Sequence, residues 1–294
     1  MIIGKTHHLT SDLVDLHVHT RASDGRFQPK EVIKILNQNS IRVAALTDHE
    51  TMAAYNTFTE HNLPDGMTII PGVEFTTAFH YITDGNHDCT EVDILAYGLD
   101  PKHPDVLNLL HDAYHRNNDR LELMCQQVTQ AGYPVTINDL MPMVFPQAPV
   151  HLGLLIEYLI TQGHIALNEQ SIAGFFADVY HKLVLPNAPP TIRTEEMIAL
   201  VTQLGGVTVL AHPGKSPLKA QPAMANLEID GVEAIHHGNN REATEYWQKI
   251  ARERKLLVSY GSDFHGWFEL GYTERRVEAS FTGEFLSRMG IALS

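Results

Sequence analysis

Residues 14–20 read VDLHVHT, two histidines one residue apart with an aspartate two positions before the first. Val14, Leu16 and Val18 alternate with Asp15, His17 and His19. A period of two marks a β-strand, in which residues i and i+2 share a face. The pattern therefore predicts a strand with Asp15, His17 and His19 on one side and the three apolar residues on the other. Taken alone, such a pair is the polar side of a half-exposed strand. The rest of the chain changes that reading.

Outward from this stretch, short apolar strands alternate with helical patterns. PKEVIKILNQN (29–39) reads as a helix with proline in its first turn. RVAALTD (42–48) is a buried strand, followed by a helical stretch from Met52 to His61. MTIIPGVEFTT (67–77) is a strand, AFHYITDGNHDCT (78–90) a polar loop, and EVDILAYG (91–98) a fourth strand. From Asp105 to Ala131 apolar residues recur at helical spacing, and helical patterns continue through HLGLLIEYLI (151–160) and IAGFFADVYHKL (172–183). Residues 102–190 thus read as an all-helical insertion, left through the linker LPNAPPT (185–191). Alternation resumes with the helix EEMIALVTQLGG (195–206) and the strands VTVLAH (207–212), GVEAIHH (231–237) and LLVSYGSDFHG (256–266). The helix REATEYWQKIARERK (241–255) lies between the last two, and one more strand and a terminal helix fall within 273–294. Strands alternating with helices predict a mainly parallel sheet with helices outside, closed as a barrel or open. The expected organisation is a catalytic unit of residues 1–101 and 191–294 around the insertion 102–190.

The polar residues gather at strand ends, where parallel α/β folds collect their chemistry. His17 and His19 close the first strand with Asp24 just beyond; Asp48 and His49 close the second; Glu74 closes the third, and Asp93 lies on the fourth. His212 follows VTVLA, and Asp263 and His265 follow the last strand. One such residue is an ordinary structural polar group. Five strands ending in His, Asp or Glu point to one metal site. Imidazole and carboxylate without thiolate suit zinc, manganese or iron(II). The donors outnumber the needs of one tetrahedral ion, so two or three divalent ions bridged by Glu74 are expected, an arrangement suited to displacement at phosphorus.

The ordered set DLHVHT…SDG, ALTDHE, PGVE, LAHPGK and GSDFHG resembles the PHP (polymerase and histidinol phosphatase) superfamily, most closely its TrpH/YciV-like branch. The resemblance runs over about residues 14–100 and 194–267 and implies a distorted (β/α)7 barrel. It implies a metal-dependent phosphoesterase acting on nucleoside 3′,5′-bisphosphates or on the 5′ ends of short oligoribonucleotides. Carried over by position, His17, His19 and Asp263 would hold one ion. Glu74 would bridge it to a second, held also by His151 from the insertion. Asp24, His49 and His265 would hold a third ion or move protons, and His212, Arg21 and Lys215 would face the phosphate. One departure stands out: Asp93 occupies a position where this branch carries histidine, and His87 lies in a longer loop nearby. A buried aspartate without a basic neighbour needs a partner, so Asp93 is expected to ligate the ion shared with Glu74 and His151. His7, His8, His61, His103, His111, His115, His164 and His181 read as surface residues, while His236 and His237 end a strand within possible reach of substrate.

Composition bounds the function. A net charge of −14 argues against a long nucleic-acid footprint, yet bound ions reverse the sign locally and admit a small phosphorylated substrate such as a nucleotide. No apolar run approaches the roughly 18 residues of a membrane span. MIIGKTHHLTSD lacks an apolar signal core, and two cysteines make no disulfide framework, so a cytoplasmic protein off the membrane is expected. Alternatives are a metal-dependent amidohydrolase acting on a C–N bond, or a non-catalytic metal-binding module. Arg21 and Lys215, as phosphate partners, favour phosphoesters.

Overall fold

The computed structural model describes residues 3–4, 13–59, 62–184, 191–236, 238–267 and 277–291. Its strands are β1 (Ile3–Gly4), β2 (Leu13–Val18), β3 (Ile41–Leu46), β4 (Thr68–Thr83), β5 (Asn86–Tyr97), β6 (Val207–Leu210), β7 (Gly231–His236), β8 (Leu257–Gly261) and β9 (Val277–Glu278). They lie in the order β8-β7-β6-β5-β4-β3-β2-β9, with β1 paired to β4. The chain just past β8 returns to β2: Asp263 N donates to His17 O at 2.8 Å, His19 N to Phe264 O at 3.0 Å, and Val18 bridges Phe264. Seven strands, β2 to β8, thus form a nearly closed barrel, the distorted PHP-type form anticipated above.

Pairing is parallel for β2–β3, β3–β4, β6–β7 and β7–β8, but β5 runs antiparallel to both β4 and β6. This departs from the expected loop at 78–90. Those residues extend β4 and β5 into a hairpin with Thr83 opposite Asn86, closed by Asp84 (φ 51°) and Gly85 (φ 79°). Two left-handed residues in a two-residue connection are what a type I′ turn requires, and Asp-Gly supplies them at low cost. The expected helix at Met52–His61 is a short 3-10 turn over Ala53–Thr57.

The strict alternation of β2 also fails. Val14 and Leu16 pack with Tyr97, Val209 and Tyr260, whereas Val18 packs against a different cluster containing Val32 and Leu36. The β2–β3 register slips between Asp15 and Val18. Such an irregularity re-aims side chains, and here it separates the environment of Asp15 from that of His17 and His19.

Helices α1 (Pro29–Gln38), α2 (Pro104–Gln130), α3 (Ile137–Leu140), α4 (Leu152–Thr161), α5 (Glu169–Phe175), α6 (Thr194–Gln203), α7 (Gln221–Met224), α8 (Arg241–Arg254) and α9 (Gly283–Arg288) complete the described elements, α5 running on as π-helical turns to Val184. α8 buries Trp247 and Ala251 against the barrel. α2, α4 and α5 meet in a core of their own around Met124, Val128, Leu155, Leu159 and Phe175. Among the described residues, no helix is long and apolar enough to cross a membrane.

β8 approaches β2 so closely that a Cβ on Gly261 would overlap His17 Cβ and Glu233 Oε1. Overpacking of this kind costs about 1–3 kcal/mol. Gly261→Ala should therefore lower the thermal midpoint by several degrees in calorimetry; an unchanged midpoint would show that the seam is loosely packed.

Candidate metal centre

The donors meet at one rim of the barrel. His17 comes from β2 and His19 from just past it, His49 from just past β3, Glu74 from within β4, Asp93 from within the antiparallel β5, His212 from just past β6, and Asp263 and His265 from the turn after β8. His17 Nε2 lies 2.9 Å from Glu74 Oε2 and 3.1 Å from His19 Nε2. His19 Nε2 lies 3.1 Å from the same carboxylate oxygen and 3.2 Å from Asp263 Oδ1. On one flank Asp24 is 3.1 Å from His265 Nε2 and 3.4 Å from His19 Nδ1, with His49 Nε2 at 3.8 Å. On the other, His212 Nε2 is 3.2 Å from Glu74 Oε1 and 3.8 Å from Asp93 Oδ2. Two sets of donors result, His19–Asp24–His49–His265 and His17–Glu74–His212–Asp263, each with its donor atoms within 4.8 Å of one another. This grouping moves His212 in among the donors and sets His19 with Asp24, where the position-by-position reading had His19 with His17 and His212 facing phosphate.

Backbone strain accompanies the cluster: Asp263 (φ 54°) and His212 (φ 26°) occupy left-handed conformations that non-glycine residues seldom adopt. The residue before Asp263 is anchored, since Ser262 N and Oγ donate to Asp15 at 2.9 and 2.6 Å, and Asp263 N itself donates to His17 O at 2.8 Å.

The residues fit divalent ions. His49 Nδ1, Glu74 Oε1, Asp93 Oδ1 and His151 Nε2 are buried with no hydrogen-bond partner among the described residues. Buried polar atoms are ordinarily satisfied; four that are not, around one rim, are lone pairs available to cations. The charge state agrees. Burial alone would raise Glu74, Asp24 and Asp263, but the imidazoles around them, and Lys215 beside Asp263, hold all three well below the carboxylate range. Burial pulls His17 down, yet Glu74, Glu233 and Asp263 lift it well above its usual value. His265 is likewise lifted to about 9 by Asp24 and Asp263 against its burial. Protons on imidazoles thus stand where cations of higher charge would sit. His151 is different: burial pushes it down to about 3, leaving a neutral ring in the form that ligates. Burial, then Glu74, raises Asp93.

Other anticipated residues are placed as follows. Arg21 is paired with Glu157 of α4, and its second terminal nitrogen reaches the Met143 carbonyl. Lys215 Nζ donates to Asp263 Oδ2 at 2.7 Å. Asp48 holds the following loop, accepting from Thr20 N, Thr20 Oγ1 and Ser23 Oγ. His87 is exposed near the hairpin turn, away from the rim. His236 is buried 3.7 Å from Asp263. His103, His111, His115 and His164 are exposed. His7, His8, His61, His237 and the side chain of His181 lie outside the described residues.

Sequence reasoning passed over three residues. Glu233, fully buried on β7, accepts from His17 Nδ1 at 3.1 Å and from His212 N at 2.8 Å. Its signal was an acid inside the apolar strand GVEAIHH, the same signal that singled out Asp93. Arg116 and Arg120 of α2 line a cavity of about 400 Å³ that also includes Asp24, His49, Asp93 and His151. Arg120 is paired with Glu91, whereas Arg116 Nη2 is buried with no hydrogen-bond partner among the described residues.

Residues 15–137 match the PHP domain family. The chain is also 31% identical over 280 residues to the 5′-3′ exoribonuclease Rnm of Escherichia coli K12, covering 88% of each. The chain belongs to the PHP family. This PHP protein is further 24% identical over 277 residues to a 3′,5′-nucleoside bisphosphate phosphatase of Chromobacterium violaceum, covering 89% of this chain and 91% of that one. Among solved structures, a candidate metal-dependent phosphoesterase of Bifidobacterium adolescentis matches with a TM-score of 0.73 and 26% identity, over 94% of this chain and 96% of the other.

A carboxylate on the far nitrogen of a ligating histidine fixes its tautomer and raises its basicity, and losing one typically weakens metal binding about 10–100-fold. Glu233 serves two donors with two oxygens, so Glu233→Gln, with one acceptor oxygen, should weaken binding of manganese or zinc within that range by calorimetric titration. Unchanged affinity would mean that the imidazole is oriented by packing alone.

Proposed function

We propose that this PHP protein removes phosphate from nucleoside 3′,5′-bisphosphates or from the 5′ ends of short oligoribonucleotides. The coarser class follows from the family and its relatives: the chain is a metal-dependent phosphoesterase. The observation that carries the finer reading is Arg116, whose Nη2 is buried with no hydrogen-bond partner among the described residues, on the cavity that adjoins the donor cluster and that it shares with Glu50. A substrate with a second phosphate, or a phosphodiester beyond the first nucleotide, offers that cation an anion. The acidic surface (net charge −14) disfavours long nucleic acid, and free Cys89 and Cys125 accord with a reducing, cytoplasmic setting.

His17, Glu74, His212 and Asp263 would hold one divalent ion and His19, Asp24, His49 and His265 another, with Glu74 between them. Asp93 and His151, each with an unsatisfied donor atom, would extend the set to a third, filled by manganese, zinc or iron(II). When bound, such ions supply an activated water and neutralise phosphoryl oxygens. The chain's own residues do the rest. Asp24, His49 and His265, with side chains 20, 23 and 24% exposed, open towards the cavity; with their ion site empty, they would instead supply the proton for the leaving oxygen from this side. His212, 14% exposed on the opposite flank, would face the phosphate if it does not hold an ion. Lys215 would turn from Asp263 to the phosphate once that carboxylate is engaged, and Arg21 would reach it only by releasing Glu157.

Phosphate release should be measured with manganese on a nucleoside 3′,5′-bisphosphate, the matching monophosphates, a 5′-phosphorylated short RNA and a long duplex. The bisphosphate or the short RNA should be preferred, and His17→Ala should abolish turnover while leaving the fold intact. Hydrogen bonds to charged groups are worth about 1.5–3 kcal/mol, so Arg116→Met should lower kcat/KM on the bisphosphate about 10–100-fold and affect monophosphates only a few-fold. Preference for the long duplex, or near-normal turnover by His17→Ala, would overturn the reading.

A further inference from the structure

The exposed face of α2 carries a second pair of imidazoles, apart from the barrel rim. His111 and His115 are one helical turn apart in the stretch HDAYH, and their Nε2 atoms lie 3.2 Å from each other, with ring centroids 4.4 Å apart. This is the spacing by which two histidines on one helix face grip a single zinc ion. The distance can be checked against bond lengths. Two nitrogen–zinc bonds of about 2.0–2.1 Å spanning that separation enclose an angle of about 100°, close to tetrahedral. Among the described residues no third histidine, cysteine or carboxylate completes a set with them, so the remaining positions open to solvent. The pair edges a groove of about 540 Å³ shared with Lys102, Tyr114, Gln147 and Glu50. Glu50 also borders the cavity beside the metal cluster, so the groove abuts the site from outside.

We propose that His111 and His115 form a peripheral, solvent-open binding site for one imidazole-preferring divalent ion, zinc, nickel or copper, distinct from the barrel cluster. Two neutral nitrogens without a carboxylate select these ions over manganese, which stands at the weak end of the affinity order for such ligands. The site is therefore empty of manganese under conditions that fill the barrel cluster with it.

The test uses the full chain with its barrel cluster already filled with zinc and counts bound zinc per chain as further zinc is titrated in. The wild type should bind one zinc per chain more than either His111→Ala or His115→Ala. Both variants should keep the remaining zinc and the rate of phosphate release, since both side chains are exposed and outside the cluster. Circular dichroism verifies that the variants fold. Equal zinc counts in the wild type and both variants would overturn the assignment.

Discussion

The site depends on the closure of the barrel between β2 and the turn after β8. Two backbone hydrogen bonds and the buried carboxylate of Asp15, which accepts from both the amide and the hydroxyl of Ser262, clamp residues separated by almost the whole chain. That clamp brings Asp263 and His265 against His17 and His19 and keeps Asp263 in its left-handed conformation. Gly261 permits the approach, because any side chain there would occupy the space of His17. Without the seam, the donors of the first half of the chain would form an incomplete set.

Once the strands are closed, electrostatics decides what the rim can hold. Five imidazoles and three carboxylates, packed in two sets whose donor atoms lie within 4.8 Å of one another, are stable only if protons or cations balance them. Without cations the balance falls to protonated histidines, as the raised values of His17 and His265 indicate. The rim is therefore built for positive charge, and phosphate, itself anionic, can approach only after that charge has been supplied.

The helices between Pro104 and Val184 turn this rim into a cavity. The start of α4 packs so tightly on the β2–α1 loop that a Cβ on Gly153 would strike Asp24. His151, at the N-terminal end of the same helix, points its unpartnered nitrogen inwards, and α2 contributes Arg116 and Arg120 across the gap. The barrel sets the chemistry, and the added helices shape the room in which a nucleotide would sit.

Much of this was legible in the sequence. Alternating apolar strands and amphipathic helices specify a mainly parallel α/β sheet through local periodicity, closure into a barrel being implied only by the family resemblance. Histidines and acids at the ends of the parallel strands mark one rim because those strands point the same way. His17, His19, Asp24, His49, Glu74, Asp93, Asp263 and His265 stood out as candidate donors by their positions in the chain, whereas His151 came from the family resemblance alone and His212 was expected to face phosphate. What tertiary structure alone decided depends on contacts between distant residues. The slip in β2 that separates Asp15 from His17 arises from pairing with β3. The grouping of His212 with Glu74, the engagement of Arg21 by Glu157 and the support of His17 by Glu233 each join segments more than a hundred residues apart. Period and composition report which face a residue occupies, but which partner meets it there is settled only when the barrel closes.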